Sequence, residues 1–119
     1  MRSASFVFKD KVEVEQLEPG ISRQIMGYND ELMLVKVMFE TGAVGYQHNH
    51  PHSQVAYVES GVFDVTIEGE TKRLSAGDSY YAQPNVMHGA VCIEGGVLLD
   101  MFSPIREDFF ENYKKGDVT

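Results

Sequence analysis

The sequence predicts an all-β domain, a sandwich or a closed barrel of short strands. Short apolar or alternating segments recur at intervals of about 8–12 residues, the spacing of strands in such folds. Turn signals built on glycine punctuate them at Pro19-Gly20, Thr41-Gly42, Glu68-Gly69 and Gly77-Asp78. The longest apolar segment, residues 32–39, has the composition of a helix or a strand, but its β-branched content, short length and flanking turn residues favour a strand. With 119 residues the chain makes one domain, 1–119, and is too short for two. Hydrophobic residues make up 43%, with seven Phe and six Tyr, so a core can form without disulfide help.

Taken in order, residues 11–16 alternate polar and apolar as a half-buried strand does. Glu18-Pro19-Gly20 marks a turn, and residues 21–28 read as the next strand. Asn29-Asp30 offers a hairpin turn into the strand at 32–39. Pro51 donates no ladder hydrogen bond and biases His50 toward an extended conformation, so a turn is expected over 51–53, followed by a strand at 54–58. Residues 62–67 put Phe63, Val65 and Ile67 on one face, with a Glu68-Gly69-Glu70 turn behind. Residues 74–76 lead into the Gly77-Asp78 turn, and 79–82 form a short strand. Residues 89–93 and 97–102 flank Glu94-Gly95-Gly96 and read as a hairpin. Ser103-Pro104 reads as a helix start, a hydroxyl cap followed by proline, with a short C-terminal helix over 106–113.

The formal net charge is −8 with Lys and Arg scattered, which argues against nucleic acid or an anionic membrane surface as partner. A single cysteine, Cys92, excludes an internal bridge and fits a reducing compartment. Residues 1–10 lack the apolar core of about 7–15 residues that a secretory leader carries. No run approaches membrane-spanning length, so a cytoplasmic location is expected.

Chemistry gathers at His48-Asn49-His50-Pro51-His52-Ser53-Gln54, which holds three of the chain's four histidines. A strand turns residues i and i+2 to one face, so His48 and His50 can offer imidazoles side by side to one metal ion. A straight strand, rising about 3.3 Å per residue, would leave His48 and Gln54 about 20 Å apart, so only a turn brings Gln54 near the pair. His88, behind a turn signal at Pro84-Asn85, is the source of a third imidazole. His52 shares strand parity with His48 and His50 and is the rival to Gln54, although the turn directs it elsewhere.

This spacing resembles the first cupin motif: Gly42, five residues, His48-x-His50, three residues, Gln54, six residues, Gly61, with Gln in place of the usual Glu. The second motif is recognisable from Gly77 to His88. There Pro84 stands one place late, Asn85 fills a position usually held by Gly, and Cys92 replaces the usual Asn. Asn tolerates positive φ best after Gly, so the first exchange is physically mild. The resemblance, with motifs at 42–61 and 77–92, implies a jelly-roll barrel and, by analogy with small cupins, a homodimer.

Two further residues stand out. Asp100 lies mid-strand in the apolar 97–102, where parity joins it to Leu98 and Phe102. A buried carboxylate is costly unless paired, so Asp100 is in use inside the cavity as an acid or base, paired with Arg106, or at an edge facing water. Arg106 can fold over the barrel mouth, where its fork matches a carboxylate, or pair on the surface with Glu107 or Asp108.

Residues 99–109, together with Gln54, Pro84-Asn85-Val86 and His88-Gly89, are similar to the small single-domain cupins of the KdgF type, a pectin-degradation family. The resemblance covers 23–110 and implies a divalent transition metal (Ni, Zn, Fe, Mn or Cu) held by His48, His50, Gln54 and His88. It also implies an active site with Asp100, Phe102 and Arg106. The implied substrate is a small anionic sugar: an unsaturated uronate released by pectin or alginate lyases and converted to its linear keto form. A neutral ligand set leaves the ion its full charge, which suits an anion. An Fe(II) dioxygenase and a non-catalytic uronate-binding cupin are the competing functions.

Overall fold

The computed structural model describes residues 1–111. A 3₁₀ turn at Lys9–Lys11 precedes eight strands: β1 (Glu15–Glu18), β2 (Ile21–Tyr28), β3 (Met33–Phe39), β4 (Val44–His48), β5 (Ser53–Ile67), β6 (Glu70–Ser75), β7 (Ser79–Ala82) and β8 (His88–Ser103). All pairings are antiparallel, in the order β1-β2-β3-β8-β5-β6, with β4 on β8 and β7 on β5.

β5 and β8 run beside each other almost end to end, from Ser53 opposite Ser103 to Ile67 opposite His88. Each serves two layers. The first half of β5 and the second half of β8 join β3, β2 and β1 on one side and β7 on the other, whereas their remaining halves join β4 and β6. This is the jelly-roll arrangement the sequence suggests. Between the layers lies one core, in which Val35, Val58 and Leu98 meet Phe63, Val65 and Cys92. Strand parity produces it: in β5, Ala56 and Val58 are buried while Val55 and Tyr57 are exposed.

The hairpin expected at 94–96 does not form. β8 passes straight through Glu94-Gly95-Gly96, and what happens there is a close crossing with β5. A Cβ on Gly61 would stand 2.6 Å from the Glu94 carbonyl oxygen and 2.8 Å from Gly96 Cα, and one on Gly96 would collide with Ser60. The glycines let two backbones touch, and the register shifts between Val58 and Phe63 mark the bend. The segments 54–58 and 62–67 are accordingly two halves of one strand.

Two terminal expectations also change. The strand read at 11–16 is displaced: Lys11 closes the 3₁₀ turn, and pairing with β2 begins at Glu15 opposite Arg23. The C-terminal helix reduces, within the described residues, to a 3₁₀ turn at Glu107–Phe110, and residues 112–113 lie outside them. The Ser103 hydroxyl does not cap it. That hydroxyl donates to the Glu31 carbonyl at 2.7 Å, and the Ile105 N–H to Asp30 at 3.1 Å, so the chain is tied to the β2–β3 turn where a helix would begin. The turn expected at Glu68-Gly69-Glu70 forms as a two-residue connection, with Glu68 at φ 50° and Gly69 at φ 81°, and Glu70 already pairs with Ile67 as the first residue of β6.

Candidate metal centre

β4 ends at His48, the chain bends at Pro51-His52, and β5 starts at Ser53, returning Gln54 to the histidine pair. His88 opens β8 directly opposite His48 in the ladder. Asn85, at φ 69°, shapes the approach to His88 and donates its N–H to the His50 carbonyl at 2.8 Å. One ring nitrogen each of His48, His50 and His88 lies within 4.8 Å of the others, a grouping that can hold a metal ion.

The hydrogen bonds around these rings fix what they offer. Each Nδ1 faces a main-chain carbonyl: His48 that of Tyr46 at 2.9 Å, His50 that of His52 at 3.1 Å, and His88 that of Val86 at 3.0 Å. A carbonyl only accepts, so the proton sits on Nδ1 and each Nε2 carries a bare lone pair. Burial lowers the His88 pKa and brings that of His50 down to about 4, which keeps both rings neutral at ordinary pH. Gln54 Oε1 stands 2.9 Å from His50 Nε2 and 3.0 Å from His88 Nε2, while its Nε2 donates to the Tyr80 hydroxyl at 3.2 Å. Lone pairs thus confront one another with no proton to share. A cation among them resolves the conflict, and donors about 2.1 Å from one ion are themselves about 3.0–3.4 Å apart. The donor set therefore fits a divalent transition metal.

His52 takes no part in this group. It sits beside His50, ring centroids 5.5 Å apart, within reach of Ile105, Arg106 and Asp108, and its Nδ1 is buried without a partner. Gln54, buried in β5, occupies the place for which His52 was the rival.

A cavity of about 370 Å³ opens beside the rings and is lined by His48, Gln54, His88, Asp100, Phe102 and Arg106, among others. A second hollow of about 380 Å³ lies under the N-terminal arm, among Phe6, Phe8, Val12 and Tyr28, away from these side chains. In the first, Asp100 follows from strand pairing: Phe102 lies opposite Gln54 and Asp100 opposite Ala56, both on the inward face. Asp100 Oδ1 is buried without a hydrogen-bond partner. Burial pushes the carboxyl pKa up to about 7, against the opposing pull of the Gln54 amide and the Arg106 charge.

Arg106 does both things its position allowed. Its Nε and Nη2 bond Asp108 at 3.1 and 2.9 Å, yet the side chain is only 11% exposed and lines the cavity. The guanidinium lies 5.0 Å from the ring centre of Phe102 and 4.2 Å from that of Phe109. Cys92 is a packed core residue whose Sγ donates to the Glu94 carbonyl at 3.2 Å, and burial raises its pKa.

The family model described as Cupin domain matches residues 35–102. The chain belongs to the cupin family. Within the family it is of the KdgF type: it is 48% identical to the pectin degradation protein KdgF of Dickeya dadantii over 106 residues, 87% of this chain and 96% of that protein. It also resembles an RmlC-like cupin from Shewanella frigidimarina, with 52% identity, a TM-score of 0.88 and coverage of 91% and 97% of the two chains. The structure of KdgF from a Halomonas species matches with 43% identity, a TM-score of 0.85 and coverage of 90% and 99%.

Tyr80 and Arg23 are among the polar residues of this cupin's cavity that escape the sequence reading. Tyr80 was legible only as part of a short strand, yet it holds the Gln54 amide. Arg23 lines the same cavity from β2. An arginine between Ile21 and Ile25 on the inward parity of a strand is the signal that could have found it.

Proposed function

We propose that this cupin converts 4,5-unsaturated uronate monosaccharides, released by pectin or alginate lyases, into linear 4-deoxy-5-keto uronates. The observation that carries the reading is the meeting at one cavity of a cluster of lone-pair donors, a carboxyl with its pKa raised to about 7 and a guanidinium. The 48% identity to KdgF, named for pectin degradation, supports it.

His48, His50, His88 and Gln54 would hold the metal, and a divalent ion there would act as a Lewis acid toward the sugar oxygens it meets. Arg106 binds the substrate carboxylate through the end of its guanidinium that Asp108 leaves free. Phe102, buried beside His50 with ring centres 5.7 Å apart, packs against the sugar and excludes water. The reaction is an isomerisation. The bond from C1 to the ring oxygen breaks as the C1 hydroxyl gives up a proton and the ring oxygen gains one, leaving an aldehyde at C1 and an enol across C4 and C5. The enol then takes a proton at C4 and loses one from oxygen. Asp100, its carboxyl raised by burial to a pKa of about 7, is the group that carries this proton.

The test is incubation with the monosaccharide product of a pectate or alginate lyase, following absorbance of the conjugated double bond. The expected result is loss of absorbance without oxygen uptake, abolished by chelator. Oxygen uptake on adding Fe(II) would replace this reading with a dioxygenase. Binding with the absorbance intact would make the protein a uronate-binding cupin.

A further inference from the structure

One nearly enclosed charge on the cavity wall has no part in the chemistry above. Arg23 shares the inward face of β2 with buried Ile21 and Ile25, and its side chain is only 12% exposed. An aliphatic residue would fill that face without the cost of desolvating a guanidinium. Its carboxylate partner, Glu15, stands opposite on β1, with contacts of 3.3 Å to Nε and 3.4 Å to Nη2. Both are long beside the ~2.7–2.9 Å of a tight charge-assisted bond, so Glu15 holds the group loosely.

The other neighbour of Arg23 is aromatic. Its guanidinium lies 3.9 Å from the ring centre of Phe109, the same ring that takes Arg106 at 4.2 Å. One aromatic ring thus serves two cations that face one cavity in a chain of net charge −8. Each guanidinium has one carboxylate at its Nε–Nη2 edge, Glu15 for Arg23 and Asp108 for Arg106, and keeps the rest of its fork for an entering anion. Asp108 already occupies the Nε–Nη2 edge of Arg106, so an entering carboxylate finds only that cation's remaining N–H donors.

We propose that Arg23 is a second cationic anchor for the substrate, binding its carboxylate and adjoining oxygens together with Arg106 across Phe109. The cavity thereby selects sugar acids over neutral sugars. This rests on the uronate reading and adds to it a binding residue on β2.

Steady-state kinetics with the unsaturated uronate monosaccharide test it in three variants. Arg23→Gln is expected to raise KM about 10-fold while kcat stays within about 2-fold, the mark of binding lost equally from ground and transition states. Glu15→Gln breaks the same ion pair but leaves the cation in place, so its KM stays within about 2-fold of the wild type. Arg23→Lys keeps the charge without the fork and falls between, about 3-fold up, which also covers the case in which the Gln variant does not fold. An unchanged KM in Arg23→Gln, or an equal rise in Glu15→Gln, would make the pair a structural clip and end the proposal. Failure of the wild-type protein to consume the substrate is a different outcome, and it removes the uronate reading itself.

Discussion

Asp100 has a carboxyl pKa near 7, about where a proton carrier is most useful, and the protein pays for that in stability. In the unfolded chain the group ionises near 3.8, whereas in the fold burial holds its proton until about 7. Across that interval the folded state binds more protons, so its contribution to stability is present below the lower value and lost as pH rises to the upper one. The loss is on the order of 4 kcal/mol. Asp100→Asn is therefore expected to melt above the wild type at pH 8, the gap closing on acidification, while turnover falls at least ~100-fold and bound metal is retained. Full turnover in that variant would end the catalytic role. For His50 the sign is opposite. Its folded pKa is lowered from 6.5 to about 4, so as pH falls between those values the unfolded chain takes up the proton first and stability is lost. The bare Nε2 lone pair of His50 persists over the same range, so acid titration is expected to release metal below pH 6.5. His50→Ala is expected to lose metal and activity together, measured by metal analysis beside the kinetic assay.

The site depends on β5 and β8, which supply Gln54, His88, Asp100 and Phe102 and reach both layers only because they can bend past each other at Gly61 and Gly96. A Cβ on Gly61 is refused twice over, by φ +86° and by backbone atoms at 2.6 to 2.9 Å, and one on Gly96 meets Ser60 and Gly61. Gly96→Ala is expected to cost more than ~3 kcal/mol in urea unfolding. Gly69→Ala, at φ +81° in open space, should cost only about 1 kcal/mol, and equal costs would show that the crossing does not require glycine. The same crossing explains what the sequence hid. Glu94-Gly95-Gly96 reads alike as a reversal and as a place where two backbones touch, and only the pairing of β8 with β5 decides between them. The three histidines that can hold a metal were legible through the spacing of the His48–Gln54 cluster and the turn signal ahead of His88. Asp100 and Phe102 were legible through parity and resemblance together. Tyr80 was not, because which face of β7 points inward is set by its pairing with Ala56, whereas Arg23 carried a signal in its parity with Ile21 and Ile25 that the reading passed over.

At the scale of the whole molecule, an acidic surface surrounds a cavity for which the proposed substrate is an acid. The chain extends 41 × 28 × 23 Å and carries a formal charge of −8, so at low salt an approaching uronate is repelled by the molecule as a whole. The Debye length is ~30 Å at 0.01 M salt, comparable to the protein, and ~8 Å at 0.15 M, where only groups at the mouth still act at a distance. Arg106 and Arg23 are nearly enclosed, with side chains 11% and 12% exposed, and salt screens such groups far less than surface carboxylates. Screening should therefore remove the repulsion before it weakens the attraction. With unsaturated uronate as substrate, kcat/KM is expected to rise about 2-fold between 0.01 and 0.15 M salt. A monotonic fall over that range would mean that the cavity cations already dominate the field outside the barrel, and that the acidic surface is irrelevant to capture.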